Sequence, residues 1–154
     1  MIFDRTQKDV DDAVLIRKEK VQKFIPLTSD EVDILEKGTI TINTLNRIEE
    51  KQNELKYLFN EIGYWNTKIT NKVWTNQDIF DAVEFQRIID NTNTLRNAFI
   101  VYKDTPNTPG VSYHWQDINA LERILNDLDI MINDVKSHYR ECGTFECGEE
   151  LLND

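Results

Sequence analysis

The sequence predicts a mainly α-helical protein: a helical bundle or array made of an N-terminal helical hairpin and three repeated long helices, with short extended connectors. Apolar residues recur at helical spacing through most of the chain. Residues typical of N-caps precede these segments. Only five glycines and three prolines occur in 154 residues, which argues against a loop-rich β-sandwich. We assign 1–38 to the hairpin, 39–140 to the three-helix repeat region and 141–154 to an acidic, loosely ordered tail.

The hairpin is predicted from an apolar stripe followed by a second helix start. A first helix over 6–24 carries the stripe, which consists of Val10, Ala13, Val14, Val21 and Phe24. Pro26 ends this helix. Thr28 and Glu31 have the spacing of a capping box, with Thr28 as N-cap, and Gly38 is expected to end the second helix.

An internal repeat predicts the three long helices. The repeated blocks start 40 and 36 residues apart and read Leu45-Asn46-Arg47-Ile48, Phe85-Gln86-Arg87-Ile88 and Leu121-Glu122-Arg123-Ile124. Each block opens an apolar seam with alternating steps of three and four residues, and the helices are predicted near 42–62, 82–102 and 118–139. The expected N-caps are Thr41, Asp81 and Asp117. Gln52 and Thr92 are polar members of the seam, which marks either a docking place for a partner helix or an imperfect core within the chain.

The arginine of each repeat block, Arg47, Arg87 or Arg123, holds the same structural position three times. We expect a shared local bond to a carboxylate or to carbonyls of the preceding connector, because acidic residues are abundant nearby. The alternative is that packing brings the three guanidinium groups together around an anion.

Aromatic residues mark the predicted connectors. They are Tyr64, Trp65, Trp74, Tyr113 and Trp115. Such rings either fill gaps between the repeat helices or form contacts with a partner protein or a surface glycan. We favour gap filling and keep the contact role as the alternative.

The sequence contains no strong catalytic or cofactor motif, so we predict a noncatalytic protein without a cofactor. His138, Cys142 and Cys147 are the only cluster of metal-ligand type, and a fourth ligand would have to come from a neighbouring glutamate. Unpaired thiols, or a redox-dependent hairpin, are the interpretation we prefer. A Cys–His nucleophile pair is the remaining enzymatic alternative.

Charge excludes some partners. Eighteen basic and twenty-eight acidic residues give a net charge of −10, which argues against nonspecific nucleic-acid binding because that affinity depends on phosphate neutralisation. No apolar run approaches the length of a membrane span, and the first residues lack a signal-peptide core. We therefore expect a soluble protein made in the cytoplasm, with no membrane partner.

Two segments carry a resemblance to a known group. Phe3-Asp4-Arg5-Thr6-Gln7-Lys8-Asp9-Val10 and Thr44-Leu45-Asn46-Arg47-Ile48-Glu49 resemble small helical modules of tail-associated virion proteins from phages and prophages of Gram-positive (Firmicutes) gut bacteria. The segment from Tyr139 to Gly148 is also similar to such proteins. The resemblance covers about a quarter of the chain and supplies no catalytic residue.

The resemblance implies a virion structural protein of the tail, baseplate or fibre-attachment region. Its partners would be other virion proteins, and it would form a homo-oligomer within a symmetric assembly. The alternative is a surface-glycan adhesin that uses the connector aromatics. A thiol or metal-site protein is a further alternative.

Overall fold

The computed structural model describes residues 1–64 and 67–141, and it is mainly helical as predicted. Five α-helices and one short 3₁₀ turn make up its regular structure, and no residue of these two ranges lies in a β-strand. The helices are α1 Gln7–Glu19, α2 Ser29–Gly38, α3 Ile42–Glu61, α4 Ala82–Ala98 and α5 Trp115–Glu141, and the 3₁₀ turn is Val21–Lys23. None of the helices in this part of the chain is long and apolar enough to cross a membrane.

Helices α1 and α2 begin with capping boxes and pack against each other. The predicted box at Thr28 and Glu31 is confirmed, and α2 ends at Gly38 as expected. Gly38 allows a close approach: a Cβ atom there would lie 2.1 Å from the carbonyl oxygen of Asp9 and 2.5 Å from the Cβ of Ala13. The sequence therefore needs glycine at this position for packing as well as for ending the helix.

The predicted extent and burial of the first helix are wrong. Helix α1 ends at Glu19, and of its predicted stripe only Ala13 is fully buried. Val14 is 57% exposed and Phe24 is 95% exposed. The physical reason is the chain reversal after Lys20, where Phe24 adopts a left-handed conformation with φ of 57° and Ile25 N–H donates to the carbonyl oxygen of Lys20. Residues beyond the reversal no longer share the helix face of Ala13.

The long helices begin largely where the repeat predicts. Thr41 and Asp81 are the N-caps of α3 and α4, each accepting a hydrogen bond from the backbone three residues later. Asp117 is not the N-cap of α5, because that helix already begins at Trp115. Asp117 lies in the first turn and its carboxylate accepts the N–H of His114 at 3.1 Å.

The seam of the three long helices forms the core. Helix α3 contacts both α4 and α5, and α4 contacts α5. The seam residues with at most 3% exposure are Leu45, Ile48, Gln52, Leu55, Phe59, Phe85, Ile88, Thr92, Leu95, Leu121, Ile124 and Leu128. Helix α4 ends at Ala98 and not near 102 as predicted, because the backbone becomes extended at its C-cap, Phe99. Phe99 and the last seam positions of α5, Met131 and Val135, are only partly buried.

The polar seam members bond inside the chain. Gln52 Nε2 donates to Thr92 Oγ1 at 2.8 Å and to the carbonyl oxygen of Ile88 at 2.9 Å. Asn91 Nδ2 donates to Gln52 Oε1 at 3.2 Å. Both Gln52 and Thr92 are fully buried, so in this fold they belong to an intramolecular core.

Candidate functional site: aromatic connectors and repeat arginines

The described residues of the connector between α3 and α4 lie in neither a helix nor a strand, and asparagine side chains bind them to both helices. Asn46 of α3 accepts the N–H of Trp74 at 2.7 Å and donates to its carbonyl oxygen at 3.1 Å. Asn91 of α4 pairs in the same two-sided way with Thr70, at 3.2 and 2.8 Å. Each side-chain amide pairs with both the N–H and the C=O of one connector residue, as the backbone of a neighbouring strand would. The two asparagines therefore satisfy backbone groups that have no strand partner.

The buried carboxylate of Glu49 binds several groups of the same connector. Its side chain is 2% exposed and accepts the indole N–H of Trp74 at 3.1 Å and the backbone N–H of Lys72 at 3.2 Å. Asn71 Nδ2 also donates to it at 3.1 Å, and Arg87 forms an ion pair with it. A buried carboxylate that accepts this many hydrogen bonds is a structural anchor for the connector.

The sequence analysis keeps Trp74 as a possible contact residue, but in the structure Trp74 belongs to the core. It is 3% exposed, meets Phe80 edge-on at 5.6 Å between ring centroids and has the ammonium of Lys72 4.3 Å from its ring centroid. The burial follows from Asn46 and Glu49, which hold its backbone and its indole N–H. Trp74 is therefore unavailable as a contact surface in this fold.

Among the other connector aromatics, Tyr113 shares the ring cluster of Trp74 through Phe80, whereas Tyr64 belongs to a separate cluster with Phe59 and Phe99. Tyr64 is 44% exposed and meets Phe99 edge-on at 5.4 Å, whereas Tyr113 is 41% exposed and stacks on Phe85 at 5.0 Å. Trp115 is partly exposed and its indole N–H donates to Gln7 at 3.3 Å. Trp65 lies outside the described residues. Each described ring thus has one side committed to the chain.

Tyr113 and Trp115 share an open cleft of about 730 Å³ where the N-terminal segment, the end of α2 and the start of α5 come together. Arg5, Gln7 and Gly38 also line it. A cleft that combines aromatic rings with polar side chains can accept a small polar ligand.

The repeat arginines each bind separate partners. Arg87 donates to the carbonyl oxygen of Thr70 in the preceding connector at 2.6 Å, in addition to its ion pair with Glu49. Arg123 donates to Asp104, also in a preceding connector, at 3.1 Å. These are the local bonds of the structural interpretation, and no common anion is needed to explain them.

Arg47 takes part in a deeper ionic group around Glu122. Arg47 Nε donates to Glu122 Oε1 at 2.8 Å, and its Nη1 reaches Glu36 at 3.3 Å. Arg5 forms a second ion pair with Glu122 and also bonds Asn119 at 3.2 Å. The side chains of Glu122 and Arg5 are 0% and 3% exposed, so this group ties the N-terminal segment and α3 to α5 inside the protein.

Ion pairs also shift pKa values on the connector. The Lys72 ammonium, 2.8 Å from Asp78, together with the Thr75 hydroxyl and N–H lowers the pKa of that carboxyl from 3.8 to about 2. The pKa of Glu84 is lowered by its hydrogen bond with Arg87 and by Lys72. These shifts come from partners that fix the connector, which is a structural cause.

The metal candidates receive no support from the described part of the chain. His138 is exposed, and its Nδ1 lies 2.7 Å from the backbone carbonyl oxygen of Asp134. Cys142 and Cys147 lie outside the described residues. Within the described ranges, no group of three His, Cys, Asp or Glu side chains is placed to hold a metal ion.

The sequence analysis did not single out three residues of the buried ion pairs, namely Arg5, Glu49 and Glu122. One signal was available: aligning the repeats puts Glu49 where the other copies have Ile89 and Leu125, both buried apolar residues. A carboxylate at a core position indicates a buried ionic contact.

Comparison with protein-family models, with curated proteins and with solved structures finds no match for this chain.

Proposed function

We propose that this protein is a noncatalytic virion structural protein of a phage tail, baseplate or fibre-attachment region, and that it acts by protein–protein assembly. In this proposal the N-terminal hairpin and the three-helix repeat form one building block. It is made in the bacterial cytoplasm, incorporated into the virion as symmetric copies and bound to other virion proteins.

The observation that carries the proposal is the meeting of two sequence motifs at Glu122. Arg5 comes from the N-terminal motif and Arg47 from the Leu-Asn-Arg-Ile motif, the two segments that resemble tail-associated proteins. Both side chains pair with Glu122 although they are 117 and 75 residues from it in the sequence. The two segments that carry the resemblance thus share a structural role within the fold, which supports treating them as parts of one module.

The buried carboxylates support a noncatalytic role. A general acid or base needs a free proton site facing substrate, with a pKa tuned by its surroundings. Glu49 and Glu122 are instead occupied by arginine and other donors. Their chemistry is that of cross-links between helices and connectors.

Deletion of the coding gene from a lysogen tests the proposal in the particle. Electron microscopy of induced particles is expected to reveal tails that lack a component or fail to join, with infectivity restored by the wild-type gene in trans. Particles of normal appearance and full infectivity would contradict the proposal. A second deletion, in a dispensable neighbouring segment of the genome, controls for polar effects on the transcription of adjacent genes.

A second candidate is a surface-glycan adhesin, favoured by the cleft that Tyr113 and Trp115 line. Sugar rings stack on aromatic faces, so ligand binding would change tryptophan emission. A panel of cell-wall and surface glycans is expected to change emission in the wild type and not in Trp115→Phe if this candidate holds. Unchanged emission of the wild type across the panel would remove it.

A further inference from the structure

The second half of α1 and the turn that follows it expose several apolar side chains; we call this segment, residues 14–25, the hairpin tip. Five of its side chains are large, apolar and open to solvent. They are Val14, Leu15, Val21, Phe24 and Ile25, with exposures of 57%, 52%, 41%, 95% and 46%. Several large exposed apolar side chains in one short segment indicate an interaction site.

Phe24 is the least expected residue of the tip. Its φ of 57° lies in the left-handed region, and the reversal there is closed by hydrogen bonds from Ile25 N–H to Lys20 at 3.0 Å and from Phe24 N–H to Val21 at 3.2 Å. Glycine usually occupies this position after a helix because a Cβ atom is strained there. A phenylalanine that is 95% exposed gains little from folding, so its presence points to a contact outside the monomer.

The tip is also the basic part of an acidic molecule. Residues 17–23 contain four cationic and one acidic side chain, which gives +3, while the rest of the chain carries −13. Lys20 is paired with Glu31 of α2, whereas Arg17, Lys18 and Lys23 surround the apolar side chains and are exposed. A surface that complements this tip is acidic with apolar spaces between the charges.

We propose that the hairpin tip docks on the acidic helical surface of a second copy of this chain. Tip-to-tip pairing would oppose like charges, so the contact is heterologous and links copies head to tail. Repetition of such a contact closes a ring or builds a filament, according to the rotation between copies. The inference rests on the proposed assembly function and names the surface that serves it.

A membrane surface is a different partner for a basic apolar element, and it is disfavoured by charge. Anionic lipids attract basic segments, but the −13 carried by the rest of the chain opposes approach to a negative surface. When the partner is a second copy of the chain, the negative charge of that copy attracts the basic tip of the first.

Sedimentation velocity over a concentration series tests the contact with matched variants. The wild type is expected to self-associate, more weakly as salt is raised, because the contact is partly ionic. Phe24→Gly and the pair Lys18→Glu with Lys23→Glu are expected to weaken association at least tenfold. Ile100→Ser, which alters a side chain 77% exposed elsewhere, and Lys103→Glu are expected to leave it unchanged.

Phe24→Gly separates assembly from folding. Glycine relieves the left-handed strain, so the melting temperature is expected to stay equal or rise while association falls. A wild type that remains monomeric up to about 1 mM, or a Phe24→Gly variant that associates like the wild type, would overturn the proposal. Loss of association in both control variants would also overturn it.

Photo-crosslinking identifies the surface that the tip meets. With benzoylphenylalanine in place of Phe24 and a mixture of isotopically light and heavy chains, crosslinks are expected between copies, from the tip to acidic residues outside 14–25. Crosslinks from tip to tip would contradict the head-to-tail contact. Binding to anionic lipid vesicles that disappears in Phe24→Gly, without association of copies, would show a membrane surface instead and overturn the proposal.

The outcome is distinguishable from failure of the proposed function. Phe24→Gly protein incorporated into particles at the wild-type ratio would reject the tip contact and leave the virion assignment standing. Wild-type protein that self-associates through the tip but never enters particles would reject the virion assignment and leave the tip contact standing.

Discussion

Replacing Glu122 by glutamine removes the charge that holds two arginines inside the protein. Glu122 is fully buried and accepts from Arg5, whose side chain is 3% exposed, and from Arg47, whose side chain is 26% exposed. The glutamine keeps the shape of the side chain, but one carboxylate oxygen becomes an NH2 group, so only one of the two guanidinium groups keeps an acceptor. The buried charge of Arg5 then loses its counter-ion.

The expected loss follows from the burial of each partner. Breaking a buried ion pair by removing one partner costs about 3–5 kcal/mol, and Arg5 meets that condition. Arg47 keeps Glu36 at 3.3 Å and is partly exposed, so its share adds only about 0.5 kcal/mol. For a chain of this size, a total of about 3–5 kcal/mol lowers the melting temperature by about 6–20 °C.

Urea unfolding followed by circular dichroism measures the change, with the exposed Glu50→Gln as the matched control. The control is expected to change the free energy of unfolding by less than about 0.5 kcal/mol. The double variant Arg5→Met with Glu122→Leu is expected to recover part of the loss, because apolar replacement of a buried pair is often neutral. A loss below about 1 kcal/mol in Glu122→Gln would refute the buried ionic group as an anchor.

Three further predictions concern the packing and its dependence on pH. Gly38→Ala is expected to cost about 1–3 kcal/mol in thermal melts, because its Cβ would lie 2.1 Å from the Asp9 carbonyl oxygen. The control Gly110→Ala should be near neutral, because its Cβ would have no atom within 4 Å. Equal melting temperatures of the two variants would count against the close approach at Gly38. Ile88→Asp, and likewise Ile48→Asp and Ile124→Asp, should each lose about 3 kcal/mol or more by burying an unpaired charge, and an unchanged melting temperature would show that the seam of that helix is misassigned. The lowered pKa of Asp78 adds stability above its unfolded value of 3.8 that disappears as pH falls through about 2. Melts between pH 5 and pH 2 should therefore show an acid loss that is smaller in Asp78→Asn, and identical profiles would oppose the Lys72 ion pair.

The long helices could be predicted because the sequence signals that define them, the N-caps and the apolar spacing, are local. Caps act within three residues and the seam recurs every three or four, so Thr41, Asp81 and most seam positions follow from spacing alone. The end of α1 could not be predicted in this way. Apolar residues keep their helical spacing as far as Phe24, so the sequence pattern does not mark the end of α1. Which face of α1 is buried depends on the packing of Ala13 against Gly38, which lies in another helix.

The partners of the buried carboxylates could not be predicted from the sequence, because they lie far apart in the chain. Arg5 is 117 residues from Glu122, and Trp74 is 25 residues from Glu49. Nothing in the local pattern of Trp74 distinguishes a ring held in the core from one offered to a partner. Its burial depends on a connector fixed by side-chain amides such as Asn46, which no propensity encodes.

The proposed virion role has a direct test in mass spectrometry of density-purified particles from the source strain. We expect the protein to be present at a fixed copy ratio to the major tail protein, and the ratio to match a symmetric assembly. A protein abundant in lysates and absent from purified particles would contradict it.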